Sequence, residues 1–358
     1  MDDVGLDLSA LRTQIAQAGG GWEAGQTSVS LLPAEQRSLR LGADTTLTRQ
    51  RQGASATQHS AGQSAGYPAS FDWRSVSGQN YVTPVRDQGG CGSCVAFGVA
   101  AAIEGTFQVQ RGNPSTNVDL SEAHIFYCYG AAAGRNCQNG WWPDYPLNNI
   151  RDSGVVDESC YPYTAGNQQC NLCSNWQSRL LKISAWHKIT NVGEMKSWIS
   201  TRGPVSTCFN VYTDFFAYRS GVYRYVSGKL EGGHCVLVVG YSDTNGCWIC
   251  KNSWGTGWGQ SGFFNIAYGE CGIDGEVWAI DGVAETGWLY NVRVTGLWAI
   301  NQDNNAWVYL ANIGWRKIAP DNLNITVDML VQLASAKAGA RPVNVYQEQG
   351  VIKQVYVF

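Results

Sequence analysis

All twelve cysteines of this chain fall between Cys91 and Cys271, leaving a cysteine-free leader and a cysteine-free tail. Covalent cross-links can therefore constrain only the middle of the molecule. Twelve cysteines are many for a cytosolic protein and ordinary for an exported one, which points to a secreted or periplasmic location. The start, Met1-Asp2-Asp3, is acidic and shows no apolar secretory stretch, so the compartment is inferred from cysteine usage alone. If one cysteine is a free nucleophile, an odd number remains, and at least one more stays outside a disulfide.

The bulk properties exclude several function classes. Net charge is −3 with 15% charged residues, and neither a basic tract nor an acidic tail is present, which argues against a nucleic-acid partner. Apolar runs such as Cys235 to Val239 are too short to span a bilayer. Glycine (42) and tryptophan (15) are abundant, as expected of a turn-rich fold with aromatic-lined surfaces.

Three regions follow from composition: 1–66, 67–283 and 284–358. In the first, Leu8, Leu11, Ile15 and Ala18 recur at helical spacing, and Gly19-Gly20-Gly21 stops that helix. A second short helix is expected after Ser30, with Pro33 in its first turn. Gly42 to Gly66 is poor in large apolar residues and reads as a flexible, cleavable linker. The middle region begins helical, with an apolar face from Ala96 to Phe107. It ends in strands such as Cys235–Val239, Cys247–Cys250, Phe263–Ile266 and Val277–Ile280, so a two-lobed α+β domain with a cleft is expected. The tail combines short strands (Ala306–Leu310, Val343–Tyr346, Lys353–Val357) with a helix from Thr326 to Ala338, a small β-rich module.

The chemistry is concentrated in three blocks. Cys94 stands at the start of an apolar helix, where unpaired backbone N–H groups and the positive dipole end favour thiolate. Gln88, upstream on a glycine-rich turn, can join the Cys94 backbone N–H as an oxyanion donor. A base is needed, and only four histidines exist. His59 lies in the linker, His187 follows a strand-like stretch, and His124 sits in a helical segment where packing is the simpler role. His234 stands at the lip of the strongest strand, and Asn252 follows in Lys251-Asn-Ser-Trp-Gly-Thr-Gly-Trp-Gly259, able to accept the histidine's other N–H and orient it.

Over residues 67 to 281 these blocks, in this order, resemble the papain family of cysteine peptidases. A low-pKa cysteine with histidine and asparagine downstream is that family's own hallmark rather than a novelty of this chain. The resemblance implies a papain-like fold with a helical lobe and a β-barrel-like lobe, no cofactor and no metal. Its implied nucleophile is Cys94, with His234 as acid/base, Asn252 orienting and Trp254 shielding their hydrogen bond from water. It further implies Cys91–Cys137 and Cys128–Cys170 bridges. Gly140, Trp141, Trp142, Cys208, Gly233 and Cys235 are implied to line the substrate groove and its S2 pocket.

Departures from the family carry information as well. Val95 replaces the aromatic residue that usually follows the nucleophile, and the third family bridge has no visible partner for Cys271. Cys160, Cys173, Cys208, Cys235, Cys247 and Cys250 have no assignable pairing. Cys170-x-x-Cys173 with Cys247-x-x-Cys250 has zinc-ribbon spacing, a reading opposed by the claim of a bridge on Cys170. The Cys271-Gly-Ile-Asp-Gly-Glu276 block resembles cathepsin B, and implies that Glu276 at the S2 floor accepts Arg as well as apolar side chains. The occluding insertion of cathepsin B is missing, so endopeptidase activity is expected. Glu104, inside the apolar helix, reads as a structural partner rather than a catalyst.

The stretch from Gly21-Trp22 to Ser30 resembles the brief leaders of bacterial papain-like enzymes, so residues 1–66 are expected to be an inhibitory prosegment. Protein or peptide substrates are then the partners, along with the prosegment itself. The alternatives are a transpeptidase on the same machinery, or a non-catalytic binding or adhesion protein on a papain-like scaffold. For the tail, a carbohydrate, a cell surface or another copy of the chain are the candidate partners. Trp298, Trp307 and Trp315 read as core residues of the tail in preference to a sugar site.

Overall fold

The computed structural model describes residues 6–44, 66–285, 287–300, 305–311, 313–320, 322–348 and 350–358. Most of the expected linker, with His59, lies outside the described residues. The leader is not a loose arm. Helix α1 (Leu8–Gln17) starts where the Asp7 carboxylate accepts the N–H groups of Ser9 and Ala10 at 3.0 Å, and it buries Leu11 and Ile15. The chain leaves it through Gly19, Gly20 and Gly21, all at positive φ (96°, 73° and 107°), a run only glycine adopts without cost. Strand β1 (Trp22–Ala24) follows, and the short helix α2 (Ala34–Ser38) opens at Pro33.

Helix α3 (Cys94–Arg111) is the spine of the helical lobe, buried from Cys94 to Gln108 and closed by Gly112 in the left-handed region. Glycines let it approach the β lobe closely. A Cβ at Gly98 would lie 2.8 Å from Cys235 Sγ, and one at Gly105 would lie 2.4 Å from a Pro204 ring carbon. Helices α4 (Asp144–Asp152) and α5 (Val192–Thr201) complete the α component with a π-helical turn, His124–Gly130. His124 is buried there, its Nδ1 accepting the Val156 N–H at 3.1 Å, and burial lowers its pKa to about 4.

Disulfides join Cys91 to Cys137 and Cys128 to Cys170, the pairings implied by the resemblance. A third joins Cys160 to Cys173, a partnership the sequence left open. It also removes the zinc-ribbon reading, because Cys170 and Cys173 both have their sulfurs in bridges. The other six cysteines, Cys94, Cys208, Cys235, Cys247, Cys250 and Cys271, are buried thiols.

One sheet runs in the order β1-β5-β8-β7-β6-β4-β9-β3, with β2 (Ser70–Asp72) pairing off its path onto β6. Its members are β3 (Leu181–Ile189), β4 (Val205–Tyr212), β5 (Tyr218–Tyr223), β6 (Leu230–Ser242), β7 (Cys247–Lys251), β8 (Phe263–Ala267) and β9 (Val277–Glu285). The leader therefore supplies an edge strand: Trp22 pairs with Gly221 and Glu23 with Ser220. Trp22 packs edge-on to Tyr223 with ring centres 5.2 Å apart.

A second core, from Val294 to Ile352, belongs to the tail. Strands β10 (Gly287–Ala299), β11 (Ala306–Leu310), β12 (Gly314–Ile318), β13 (Pro342–Glu348) and β14 (Val351–Val357) close a barrel in the order β10-β11-β12-β14-β13. Only β12 and β14 pair in parallel, and helix α6 (Leu323–Ala338) stands between β12 and β13. This is the topology of the oligonucleotide/oligosaccharide-binding barrels. Strands β10 and β12 were not anticipated from the sequence. The expectation that the tail's tryptophans form its core is overturned. Val308, Leu310, Leu333, Val343, Val345 and Ile352 fill the barrel, while Trp298 and Trp315 are 44% and 47% exposed and Trp307 is half-buried.

Candidate active site

Ser93 precedes the helix, so Cys94 is the first residue of α3, and the backbone N–H of Val95 points back at its sulfur. Across the cleft β6 carries His234, in register with Phe209 of β4, and the next residue, Cys235, donates its N–H to Cys94 Sγ at 3.4 Å. Cys208 and Cys235 face each other across the same strand pair. Asn252 follows β7, and its Oδ1 lies 2.7 Å from His234 Nε2. An acceptor oxygen requires the proton on Nε2, which leaves the Nδ1 lone pair for the cysteine side. The Trp254 ring lies 4.7 Å from the imidazole, tilted by 33°, and is fully buried, where it keeps water off that hydrogen bond.

Gln88 is held from three sides. Its Oε1 accepts the Ser253 hydroxyl at 2.7 Å, its backbone carbonyl accepts the Tyr163 hydroxyl at 2.9 Å, and its Nε2 donates to Cys91 O at 2.8 Å. The remaining Nε2 bond goes to the leader, to Arg40 O at 3.0 Å. Arg40 is fixed by an ion pair to Asp87 at 2.7 Å.

Beyond Arg40 the leader crosses the cleft. Gly42 and Ala43 donate to Gly233 O at 3.1 and 3.0 Å, Trp141 donates to Gly42 O at 2.6 Å, and Asp44 donates to Trp141 O at 3.3 Å. Ala43 bridges Trp141 in parallel and Gly233 antiparallel. The segment from Gly42, expected to be linker, thus begins as a seated peptide. Glycine is required at its crossing point, since a Cβ on Gly42 would fall 1.9 Å from Gly92 O and one on Gly140 would fall 2.2 Å from Gly42 O.

The expected thiolate–imidazolium pair is not formed in this covered state. His234 Nδ1 is buried without a hydrogen-bond partner, so none joins it to Cys94. Both groups are fully buried. Burial pushes the Cys94 thiol up to about 12, despite the N–H groups of Cys235, Gly42 and Val95 around it. Burial likewise holds the imidazole down at about 4, and the Arg40 charge pushes the same way. The neutral pair is what a dry, covered cleft favours.

Glu276 is mostly buried and lies 3.5 Å from Lys188 Nζ, which also pairs with Asp144 at 2.9 Å. Asp144 in turn accepts the Trp278 indole N–H at 2.5 Å, and Trp278 packs edge-on to Trp142 with ring centres 5.1 Å apart. The expected S2 floor is therefore a small charge network. Sequence reasoning missed Arg40, Gly42, Asp144, Lys188 and Ser253. Only Gly42 gave a usable signal, a glycine shortly after a helix, where close backbone approach is common.

A cysteine opening a helix, an imidazole on the facing sheet and an amide on the far ring nitrogen form the architecture of the two-lobed thiol peptidases. Residues 67–280 match the family described as papain family cysteine protease, and the chain belongs to that family. It is 36% identical over 216 residues to Cysteine proteinase 1 of Entamoeba histolytica, covering 58% of this chain and 66% of that one. Against the Cathepsin L-like proteinase of Fasciola hepatica the identity is 35% over 214 residues, covering 58% and 63%. The chain thus spans just under two thirds of the length of these relatives. Among solved structures, proCathepsin B S9 from Trypanosoma congolense superposes with a TM-score of 0.63 at 26% identity, covering 77% of this chain and 98% of that one. Digestive procathepsin L 3 of Tenebrio molitor larval midgut superposes with a TM-score of 0.61 at 27% identity, covering 76% and 87%.

Proposed function

We propose that this chain is the inhibited precursor of a cysteine endopeptidase, with residues 1–66 as prosegment, 67–283 as peptidase and 284–358 as an accessory binding module. The observation that carries the reading is the seat of Arg40 to Asp44. A peptide backbone lies across Cys94, with one of its carbonyls on the donor assigned to the oxyanion.

Once the leader leaves, water and substrate re-enter, the cost of charging the pair falls, and a proton passes from Cys94 to His234 Nδ1. The thiolate attacks the scissile carbonyl, and the oxyanion is held by Gln88 Nε2 and the Cys94 backbone N–H. The imidazolium protonates the leaving amine. The neutral imidazole then takes a proton from the water that attacks the thioester, and the tetrahedral intermediate expels the sulfur, which regenerates the thiolate–imidazolium pair. Asn252 keeps the ring in register throughout. Trp141 and Gly233, whose backbone groups bind the leader, are assigned to bind the substrate backbone. The S2 pocket is assigned to Trp142, Cys208, Cys235 and Glu276. Three disulfides support a secreted or periplasmic location. Among the described residues no helix is long and apolar enough to cross a membrane.

The test is incubation of the pure chain at mildly acid pH with a reductant, followed by an epoxide thiol label and a peptide-library cleavage profile, with Cys94→Ala as control. Stoichiometric labelling at Cys94 and cleavage lost in the control are expected. A released, labelled enzyme that cuts nothing leaves only a binding scaffold, and aminolysis products with an added amine would make it a transpeptidase.

A further inference from the structure

We propose that the outer face of β10–β12 is a stacking platform for a neutral oligosaccharide. Two rows of side chains cross this face in register. Trp298 pairs with Trp307 and Trp307 with Lys317, while Gly296 pairs with Tyr309 and Tyr309 with Trp315. Alternation sends Ala306, Val308 and Leu310 into the barrel, so Trp307 and Tyr309 must point outward. Trp298, Tyr309 and Trp315 are 44%, 38% and 47% exposed. Neighbouring exposed aromatics are a feature of binding surfaces, and the fold class selects this face over the Trp288–Tyr290 pair on the β13 side.

The rings are held in place. A Cβ at Gly296 would lie 2.9 Å from Tyr309 Cβ and 3.2 Å from Trp315 Cη2, so the missing side chain lets the Trp315 indole lie over the strand. Tyr309 braces it edge-on, with ring centres 5.3 Å apart. Beside them the Trp307 indole N–H is steered by Asn305 Oδ1 at 2.8 Å. In this barrel class the outer surface of the second and third strands, here β11 and β12, is where oligosaccharides and oligonucleotides bind.

Charge decides between the two ligands. Single-stranded nucleic acid needs a groove of cations along its phosphates as well as aromatic faces. Among the described outward positions of these two rows Lys317 is the one cation. A neutral sugar needs no counter-charge, only flat apolar rings for its C–H face and amide or indole groups for its hydroxyls. The module would hold the peptidase on a glycan matrix or a glycosylated substrate.

Full-length Cys94→Ala protein, which keeps its prosegment, is tested for retention on insoluble cellulose, chitin and β-1,3-glucan and for mobility shift in galactomannan gels, with poly(dT) as the anionic comparison. At least one neutral glycan should bind it, with little loss as salt rises. Trp315→Ala and Trp298→Ala should weaken binding by about tenfold or more, an energy of about 1.4 kcal/mol, while Trp315→Phe keeps most of it. Trp288→Ala, on the β13 side of the barrel, should leave it unchanged. Unaltered thermal melting of each variant excludes misfolding as the cause. Failure on every glycan, equal loss with Trp288→Ala, or a preference for poly(dT) that salt abolishes would overturn the proposal.

Discussion

Gln88 donates its side-chain N–H to the backbone carbonyl of Arg40 at 3.0 Å. The donor assigned to a transition-state oxygen is thus already satisfied by the chain's own leader, so on the proposed reading inhibition comes from occupancy. Arg40 also lowers the imidazole pKa through its charge, so one residue occupies the donor assigned to the oxyanion and disfavours the proposed charged pair.

Gly42 is the tightest point of that seat. Gly42→Val places carbon within 1.9 Å of Gly92 O, a backbone atom that has nowhere to go. The leader should lift from the cleft while its α1 and β1 contacts persist. Alkylation of Cys94 in the uncut chain should then accelerate more than tenfold, for a cost of about 1.4 kcal/mol or more to the seated state. An unchanged alkylation rate would show that the cleft is open without the substitution.

Acid should release the leader, and the sign follows from His234. In a Cys94→Ala chain, where no thiol can supply the proton, the covered state holds the His234 pKa at about 4 against an ordinary 6.5, so that state binds fewer protons between those values. Lowering pH through this window favours the uncovered form, by on the order of 3 kcal/mol once protonation is complete. With a Cys94→Ala chain nicked in the linker, gel filtration should show the leader dissociating increasingly from pH 6.5 to 4. Arg40→Ala, which removes a second cause of the low pKa, narrows the gap between the two states and should make the release depend less steeply on pH. A release profile flat across this range counts against the mechanism.

Lys188 sits between Glu276 and Asp144, so it tempers the negative charge of the group assigned to the S2 floor. Glu276→Ala should lower the ratio of Arg to Leu cleavage at P2, and Lys188→Met should raise it, each by several-fold at constant catalytic rate on Leu substrates. Competitive peptide pairs read the ratio directly. If both variants leave it untouched, Glu276 does not reach the P2 side chain.

Glu104 accepts the Thr83 hydroxyl at 2.6 Å and the Leu120 N–H at 2.8 Å, and Thr83 accepts from Lys251 Nζ at 3.0 Å. All three side chains are buried. Glu104→Ala strands the Lys251 charge beside Asn252 and should destabilise the fold by about 3–5 kcal/mol, seen as a lower denaturant midpoint. A loss under 1 kcal/mol would mean that water reaches Lys251.

Local chemistry was readable where a residue's role depends on its immediate neighbours. Cys94 could be placed at a helix start because an apolar face follows it directly, and His234 on a strand because Cys235 to Val239 is an unbroken apolar run. Partnerships set by distant chain crossings were not readable. Lys188 meets Glu276 only after the sheet has ordered β3 beside β9, and Cys160 meets Cys173, 13 residues on, through an irregular segment with no periodic pattern to fix its path. The barrel was missed for a similar reason, since β12 closes it by pairing with β14 across an intervening helix. Composition misled at Gly42, where a small residue that looks like slack is a requirement of contact.

The antiparallel seat of β1 on β5 has a consequence for activation. A single cut between residues 45 and 65 would not free the cleft, because strand, Trp22 and helix remain docked on the other lobe. It would convert a tethered segment, present at a high effective concentration, into an ordinary dissociable ligand. Cleaved material should therefore stay quiescent when concentrated and wake on dilution, so that the surrounding volume, as much as the cut, governs when the enzyme works.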